Sequence, residues 1–348
     1  MKVDVQTCQL RLKHEWTIAS GTKVGGGSLT TDTIVVRLTD GTLTGLGEAA
    51  PTKRYNQPTD ASLAFLKTVD GSKLSFDDIP GSMAYLNTLP GYHPAAKAAI
   101  DIALLDGAAR KAGKAIYDLL GLGFSEGKHL TSYSIGIDTP AMIAKKTQEA
   151  EAYPVLKLKV GAPGDRENFK ALRDAAPNKI VRIDGNEGWL TKEEALRNIE
   201  WFAQDKNVEY VEQPMPDKTP VKEMAWLKAR SPLPIYGDES YHTAKDVELC
   251  AECFHGVNVK LVKTAGITGA YEALKAARKV GLKTMIGCMI ESSILITAAA
   301  HLAELADNLD IDGNILIAND PFIGATSEGG MISFAKTPEK LGLRVCAR

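Results

Sequence analysis

Hydrophobic and polar positions follow two different rhythms along this chain, and the change falls near residue 131. Before it, Val3 to Leu12, Thr33 to Leu38 and Thr42 to Glu48 alternate or are β-branched, which predicts three strands. They are set off by the Asp40-Gly41 turn and by the loop from Ser20 to Ser28. That loop holds Gly25-Gly26-Gly27 between two strands and reads either as a lid over a site or as a plain hairpin. A helix is expected through Leu63 to Val69, and an alanine-rich helical pattern runs uninterrupted from His93 to Leu120, ending at Gly121. These elements make a small α+β module.

From residue 131 onward, short β-type runs alternate with amphipathic runs at a period of about 25 residues. The strands expected are Ser132 to Ile137, Val155 to Val160, Ile180 to Asp184, Val208 to Glu212, Ile235 to Asp238, Val257 to Leu261, Thr284 to Met289 and Leu309 to Asp312. Helices between them include Pro140 to Ala152, Lys192 to Gln204, Val221 to Ala229, Ala244 to Cys253, Thr268 to Val280 and Ser293 to Ala306. Strands separated by helices pair in parallel through right-handed crossovers. A closed (β/α)8 barrel is preferred over an open doubly wound sheet, because polar residues collect at the C-terminal ends of nearly all these strands, which in a barrel converge on one face.

Composition adds exclusions. With 348 residues, 44% hydrophobic, 24% charged and a net charge of −2, the chain can bury a large core as one decorated barrel or two domains. Nothing favours nucleic acid or a membrane as partner, and no apolar run approaches the roughly 18 residues of a span. Met1-Lys2-Val3-Asp4 opens no signal-peptide apolar region, so a cytoplasmic location is expected. The odd number of scattered cysteines, Cys8, Cys250, Cys253, Cys288 and Cys346, suits a reducing compartment. Cys250-x-x-Cys253 with His255 is half a zinc pattern; lacking a second Cys/His pair nearby, it reads as ordinary buried thiols.

The chemistry begins at Val155-Leu156-Lys157-Leu158-Lys159-Val160. Period-two alternation puts Lys157 and Lys159 on one side of an apolar strand. Alone, such a pair is a solvated edge; buried, desolvation and mutual repulsion should lower the pKa of at least one amine and make it a base. Other strand ends carry Asp184, Glu212, Asp238-Glu239, Lys260, Glu291 and Asp310-x-Asp312. Singly, each acid reads as a cap or loop residue. Three carboxylates on successive strands, Asp184, Glu212 and Asp238, could meet only at an electrostatic cost that an oxygen-preferring dication such as Mg²⁺ would offset.

This combination resembles the enolase superfamily and, within it, the muconate lactonizing subgroup, along essentially the whole chain. The resemblance implies a modified (β/α)8 TIM-type barrel with an N-terminal α+β capping domain: residues 1–125 the cap, 126–319 the barrel, and 320–348 packing back on the cap. It implies Mg²⁺ on Asp184, Glu212 and Asp238, Lys159 and Lys260 as the acid/base pair, Lys157 lowering the pKa of Lys159 and contacting substrate oxygens, and Glu239 as a partner of the ligands or of Lys260. Lys263 is the rival second base. It is set aside because the family's lysine stands five residues before a Gly-Gly pair, here Ala265-Gly266, in which Ala265 departs from the pattern.

Asp310-Ile311-Asp312 and the segment Gly287 to Ser292 resemble the dipeptide epimerases of this subgroup, whose Asp-x-Asp holds the substrate's α-ammonium. The activity implied is inversion of the second residue's α-carbon by two-base proton transfer on a small dipeptide. Cycloisomerases, o-succinylbenzoate synthases and N-succinylamino acid racemases are the alternatives inside the superfamily, and a non-catalytic ligand-binding barrel is the one outside it. Glu291 lines the pocket or is a buried, paired acid; Lys23 and Arg54 either receive an anionic group of the substrate or are solvated. A homo-oligomer is left open.

Overall fold

Strand β1 (Lys2–Trp16) pairs antiparallel with β2 (Ser28–Thr39), and β2 with β3 (Thr44–Ala49). This computed structural model describes residues 1–19 and 27–348. Lys23, and with it the lid reading of the glycine loop, lies outside the described residues. Helices α1 (Thr59–Lys67) and α3 (Pro94–Lys111) pack on the sheet, and α2 (Ile79–Thr88) packs on α3. Most of α3 is buried because it is packed on two sides, by β3 and by the short barrel helix Leu261–Thr264. Its alanines and the glycines of β3 let backbones touch: a Cβ at Gly47 would lie 2.0 Å from the carbonyl oxygen of Ala99.

Eight parallel strands follow, β4 (Tyr133–Ile135), β5 (Val155–Lys159), β6 (Ile180–Asp184), β7 (Val208–Glu212), β8 (Ile235–Gly237), β9 (Gly256–Lys260), β10 (Lys283–Gly287) and β11 (Asn308–Asp310), each hydrogen-bonded to the next in sequence order. A parallel bridge between Thr131 and Leu309 joins the two ends of this sheet, so the barrel closes. The expected strand positions hold to within a few residues. Asp312, Met289 and Asp238 nevertheless fall beyond their ladders, on the loops that leave the strands.

The uninterrupted helix expected from His93 to Leu120 is corrected. α3 ends at Lys111, Gly113 takes the left-handed conformation (φ 65°), and a one-turn helix α4 (Ile116–Leu119) follows. The break lets Ala115 bridge to Gly342, which the alanine-rich pattern could not reveal. A helix at Asp165–Ala175, absent from the expected set, crosses between β5 and β6.

Buried acids of α3 tie the layers together. Asp101 accepts hydrogen bonds from Thr268, from its amide at 3.0 Å and its hydroxyl at 2.5 Å, at the start of the helix Ile267–Lys279. Asp106 accepts the amides of Leu46 and Leu343 at 2.9 and 2.7 Å and the side chain of Arg110 at 2.8 Å, joining sheet, helix and C-terminal segment. Each bond satisfies a charge that burial would otherwise make costly. Among the described residues, no helix is long and apolar enough to cross a membrane.

Candidate active site

Register places the charged strand ends in rows. Lys159 is the register partner of Asp184, and Asp184 of Glu212, so three charges lie side by side on β5, β6 and β7. On the far side, Lys260 is paired with Gly287, and Gly287 with Asp310. Neighbours in a parallel ladder point to the same face, and here that face is the barrel interior.

The acids and lysines interlock. Lys159 Nζ donates to Asp184 Oδ2 at 2.5 Å, and Lys260 Nζ to Asp238 Oδ2 at 2.8 Å. Lys263 lies deeper, spending its donors on Asp238 Oδ1 (2.6 Å) and on the carbonyls of Asp238 (2.5 Å) and Asn258 (3.1 Å). Lys263 therefore clamps Asp238 from below and does not line the cavity, whereas Lys260 does.

Lys157 differs from expectation. Its amine is buried and sits 2.5 Å from Asp310 Oδ2, 2.7 Å from Glu212 Oε2 and 3.1 Å from Asp184 Oδ2. Burial alone would lower its pKa, but Asp184, Asp310 and Glu212 outweigh it and hold the ammonium well above the usual range. Nor does Lys157 reach the cavity wall to meet a substrate oxygen. The sequence shows two lysines two residues apart but not the carboxylates that converge on one of them.

The carboxyls split into two groups. Burial opposes ionisation of Asp184 and Asp238, yet Lys157 and Lys159 hold the first, and Lys260 and Lys263 the second, below the normal carboxylate range. Glu212 goes the other way, raised to about 7 by burial and by the charge of Asp184. Among the described residues its Oε2 has no hydrogen-bond partner, only the ion pair to Lys157. Among the described residues, no three His, Cys, Asp or Glu side chains already stand in the geometry of a bound cation; ammonium groups lie between the acids. The donor set itself, three buried carboxylates at the ends of successive strands, one of them with an oxygen that accepts no hydrogen bond from the described residues, suits a hard dication such as Mg²⁺.

A cavity of about 560 Å³ opens above these rows, between barrel and cap. Lys159, Lys260, Asp310 and Asp312 line it, with Glu239 and Asn186. Asp310 accepts from Ser132 Oγ at 2.6 Å, and Asp312 accepts the amide of Ser134 at 2.5 Å. Burial and the neighbouring Asp310 raise Asp312 to about 7. The cap contributes Trp16, Ile18 and the Thr52–Tyr55 turn.

Three further expectations change. Glu239 does not hydrogen-bond Lys260; it receives the Arg54 guanidinium at 2.9 and 2.7 Å. Arg54 also meets Glu187 at 3.0 Å and is mostly buried, so it is a link between cap and barrel, neither solvated nor a free anion receptor. Glu291 does not line the cavity: it is buried beneath it, raised well above its normal pKa by burial and by Glu48. Cys250 and Cys253 are buried thiols aimed at the backbone carbonyls of Ser240 and Val221, and His255 Nδ1 accepts the Ile235 amide. Tyr55 and Trp16 enter the site without any sequence signal beyond their residue types, whereas Lys263, the rival base of the sequence reading, enters it only through its bonds to Asp238.

Fold and site together define a capped-barrel enzyme of the enolase type. Residues 8–121 match the mandelate racemase/muconate lactonizing enzyme N-terminal domain, and residues 141–330 match the enolase C-terminal domain-like family. The chain belongs to the mandelate racemase/muconate lactonizing enzyme family of the enolase superfamily. It is 64% identical over 350 residues, covering 100% of both chains, to the L-Ala-D/L-amino acid epimerase of Pedosphaera parvula. It is 34% identical to the L-Ala-D/L-Glu epimerase of Bacteroides thetaiotaomicron, over 97% of this chain and 86% of that one. Among solved structures, the dipeptide epimerase of Enterococcus faecalis V583, complexed with Mg and L-Leu-L-Tyr, superposes with a TM-score of 0.88 at 29% identity, covering 100% of this chain and 99% of that one. The chain is accordingly an enzyme of the isomerase class.

Proposed function

We propose that this enzyme is an Mg²⁺-dependent dipeptide epimerase that inverts the α-carbon of the second residue by proton exchange between Lys159 and Lys260. The observation that carries the reading is that both lysines, from the second and sixth barrel strands, line one cavity together with Asp310 and Asp312. A single base returns a proton to the face it came from. Two bases on opposite walls can exchange it across the carbon.

Asp184, Glu212 and Asp238 would hold the Mg²⁺, which supplies positive charge for the substrate oxygen on which negative charge grows as the proton leaves. Lys159 or Lys260, whichever is neutral, breaks the α-C–H bond by taking the proton; the other, as ammonium, forms a new C–H bond from the opposite face. Lys157 neutralises the acids beneath. Asp310 and Asp312 receive the dipeptide's α-ammonium, a group that N-acylated amino acids lack. Glu239, anchored by Arg54, fixes the rim near Lys260.

The test is incubation with Mg²⁺ and a dipeptide library in D₂O, read by mass spectrometry. Deuterium at the α-carbon of the second residue, with both epimers appearing, is expected. Exchange confined to N-succinyl or N-acetyl amino acids would instead support the acyl-amino-acid racemase reading.

A further inference from the structure

Both lysines of the proposed proton pair are met by an aromatic side chain of the cap, but in different ways. Lys159 Nζ lies 6.0 Å from the centroid of the Trp16 ring, a face contact without a hydrogen bond. Lys260 Nζ lies 5.7 Å from the Tyr55 ring centroid and also donates to the Tyr55 hydroxyl at 3.2 Å. Around Lys260 Nζ the other polar contacts are Asp238 Oδ2 at 2.8 Å and the Met289 sulfur at 3.9 Å. Asp238 is already shared with Lys263, and a thioether is a weak acceptor.

The turn that carries Tyr55 is held with unusual redundancy. It is a single 3₁₀ turn, Lys53–Tyr55, capped by Thr52, whose hydroxyl accepts the Arg54 amide at 3.3 Å, and ended by Asn56 in the left-handed region (φ 55°). Arg54 reaches Glu239 on the loop after β8 and Glu187 after β6. Gln57 accepts the Ala95 amide at 2.7 Å and donates to the carbonyl of Val262, two residues beyond Lys260, at 3.5 Å. The phenol is thus fixed from both sides against the barrel segment that carries Lys260. The four contacts from Arg54 and Gln57 fix the turn, and the hydroxyl adds the bond to Lys260, which a phenylalanine filling the same volume could not make.

We propose that Tyr55 is a positioning residue for Lys260: the cap-borne hydroxyl holds the amine in its proton-transfer rotamer, a contact that no described residue of the cap makes to Lys159. This rests on the two-base reading above. Its consequence is asymmetry between stereoisomers, because only the isomer whose α-proton is taken by Lys260 depends on the hydroxyl for that step.

The experiment compares initial rates of α-deuterium incorporation from each second-residue epimer, measured separately with Mg²⁺ in D₂O, for the wild type, Lys260→Ala and Tyr55→Phe. Lys260→Ala identifies the epimer served by Lys260, by losing exchange from that one while keeping it from the other. Tyr55→Phe is then expected to lower kcat for exchange of the same epimer about 10- to 100-fold with KM little changed, and to leave exchange of the other epimer within about twofold. If Lys260→Ala is one-sided but Tyr55→Phe is unchanged, or slows both epimers equally, the role given to Tyr55 is overturned and the two-base scheme stands. If Lys260→Ala affects both epimers equally, the two-base scheme itself fails, and Tyr55 with it. Should Tyr55→Phe fold poorly, Tyr55→His, which keeps a ring and a polar edge, is held to the same epimer-specific criterion.

Discussion

Lys159 and Asp184 are register partners on adjacent parallel strands, and their side chains meet at 2.5 Å. The candidate base and the first candidate metal ligand are therefore set by one ladder, continued by Glu212 on the next strand. A slip of one residue in β5 would turn Lys159 out of the barrel and bring an apolar side chain in. Placement of Lys159, Asp184 and Glu212 thus follows from strand pairing, and the loops leaving β8 and β11 add Asp238 and Asp312.

Metal dependence follows from the acids. EDTA-treated enzyme is expected to lose exchange and to recover it with Mg²⁺, and Glu212→Gln to lose both Mg²⁺ affinity and exchange. Burial and the charge of Asp184 raise Glu212 to about 7. A cation needs the carboxylate, so protons compete with it and Mg²⁺ affinity should weaken as pH falls below about 7. Isothermal titration with Mg²⁺ at about pH 6 and about pH 8 reads this directly; equal affinity at both would count against the assignment of Glu212 as a ligand.

Recognition of the amino terminus is expected to reside in Asp312. Asp310 is already bonded to Lys157, while Asp312 faces the cavity with, among the described residues, only the Cys288 thiol, at 3.8 Å, near its Oδ1. Asp312→Asn should raise KM for a dipeptide by about 10- to 100-fold, the size of one charge-assisted hydrogen bond of roughly 1.5–3 kcal/mol. The same substitution should leave any residual turnover of an N-acetylated dipeptide unaffected. Steady-state kinetics on the two substrates separate these outcomes.

Ala265 sits in the left-handed region at φ 62°, in the pair where the family pattern has glycine. A Cβ is disfavoured there, so Ala265→Gly is expected to stabilise the fold by about 0.5–1 kcal/mol, seen as a higher thermal midpoint.

The staple between Asp101 and Thr268 gives a pH signature. Burial raises Asp101 from 3.8 to about 6, against the hydrogen bonds from Thr268 and Ile267 that pull it down. Between those values the folded chain keeps a proton the unfolded chain has released. The contribution is therefore fully present below the unfolded pKa and is lost as pH rises through the folded one. Relative to Asp101→Asn, the wild type should lose about 1.4 kcal/mol of stability between about pH 5 and about pH 7.5, one pKa unit's worth. Urea unfolding of both proteins at the two pH values measures it; a gap that does not change with pH would contradict the buried, raised carboxyl.

The barrel was legible because its repeating unit leaves marks on sequence: period-two runs such as Val155 to Val160, and acids repeated at strand ends. Lys159, Asp184, Glu212 and Lys260 stand out for the same reason, since each ends a strand, and Asp238 follows one directly. What escaped depends on contacts between distant segments. The surroundings of Lys157 come from β6, β7 and β11, so neither its three carboxylate partners nor its raised pKa could be read from Lys-x-Lys alone. Glu291 resembles a pocket residue by position, yet its side chain turns under the cavity beside Glu48, which belongs to the cap. Tyr55 lies in a turn between Pro51 and Pro58, where no periodicity marks it, and the break at Gly113 is hidden in a run of good helix formers.

The central claim is that two lysines act from opposite faces of one carbon. Its most direct test is the crossed pair, Lys159→Ala and Lys260→Ala, each assayed for α-deuterium incorporation from each second-residue epimer in D₂O with Mg²⁺. The account predicts that neither variant inverts the centre, and that each retains exchange from one epimer, a different one for each variant. Inversion by either variant, or loss of the same epimer's exchange in both, would contradict it.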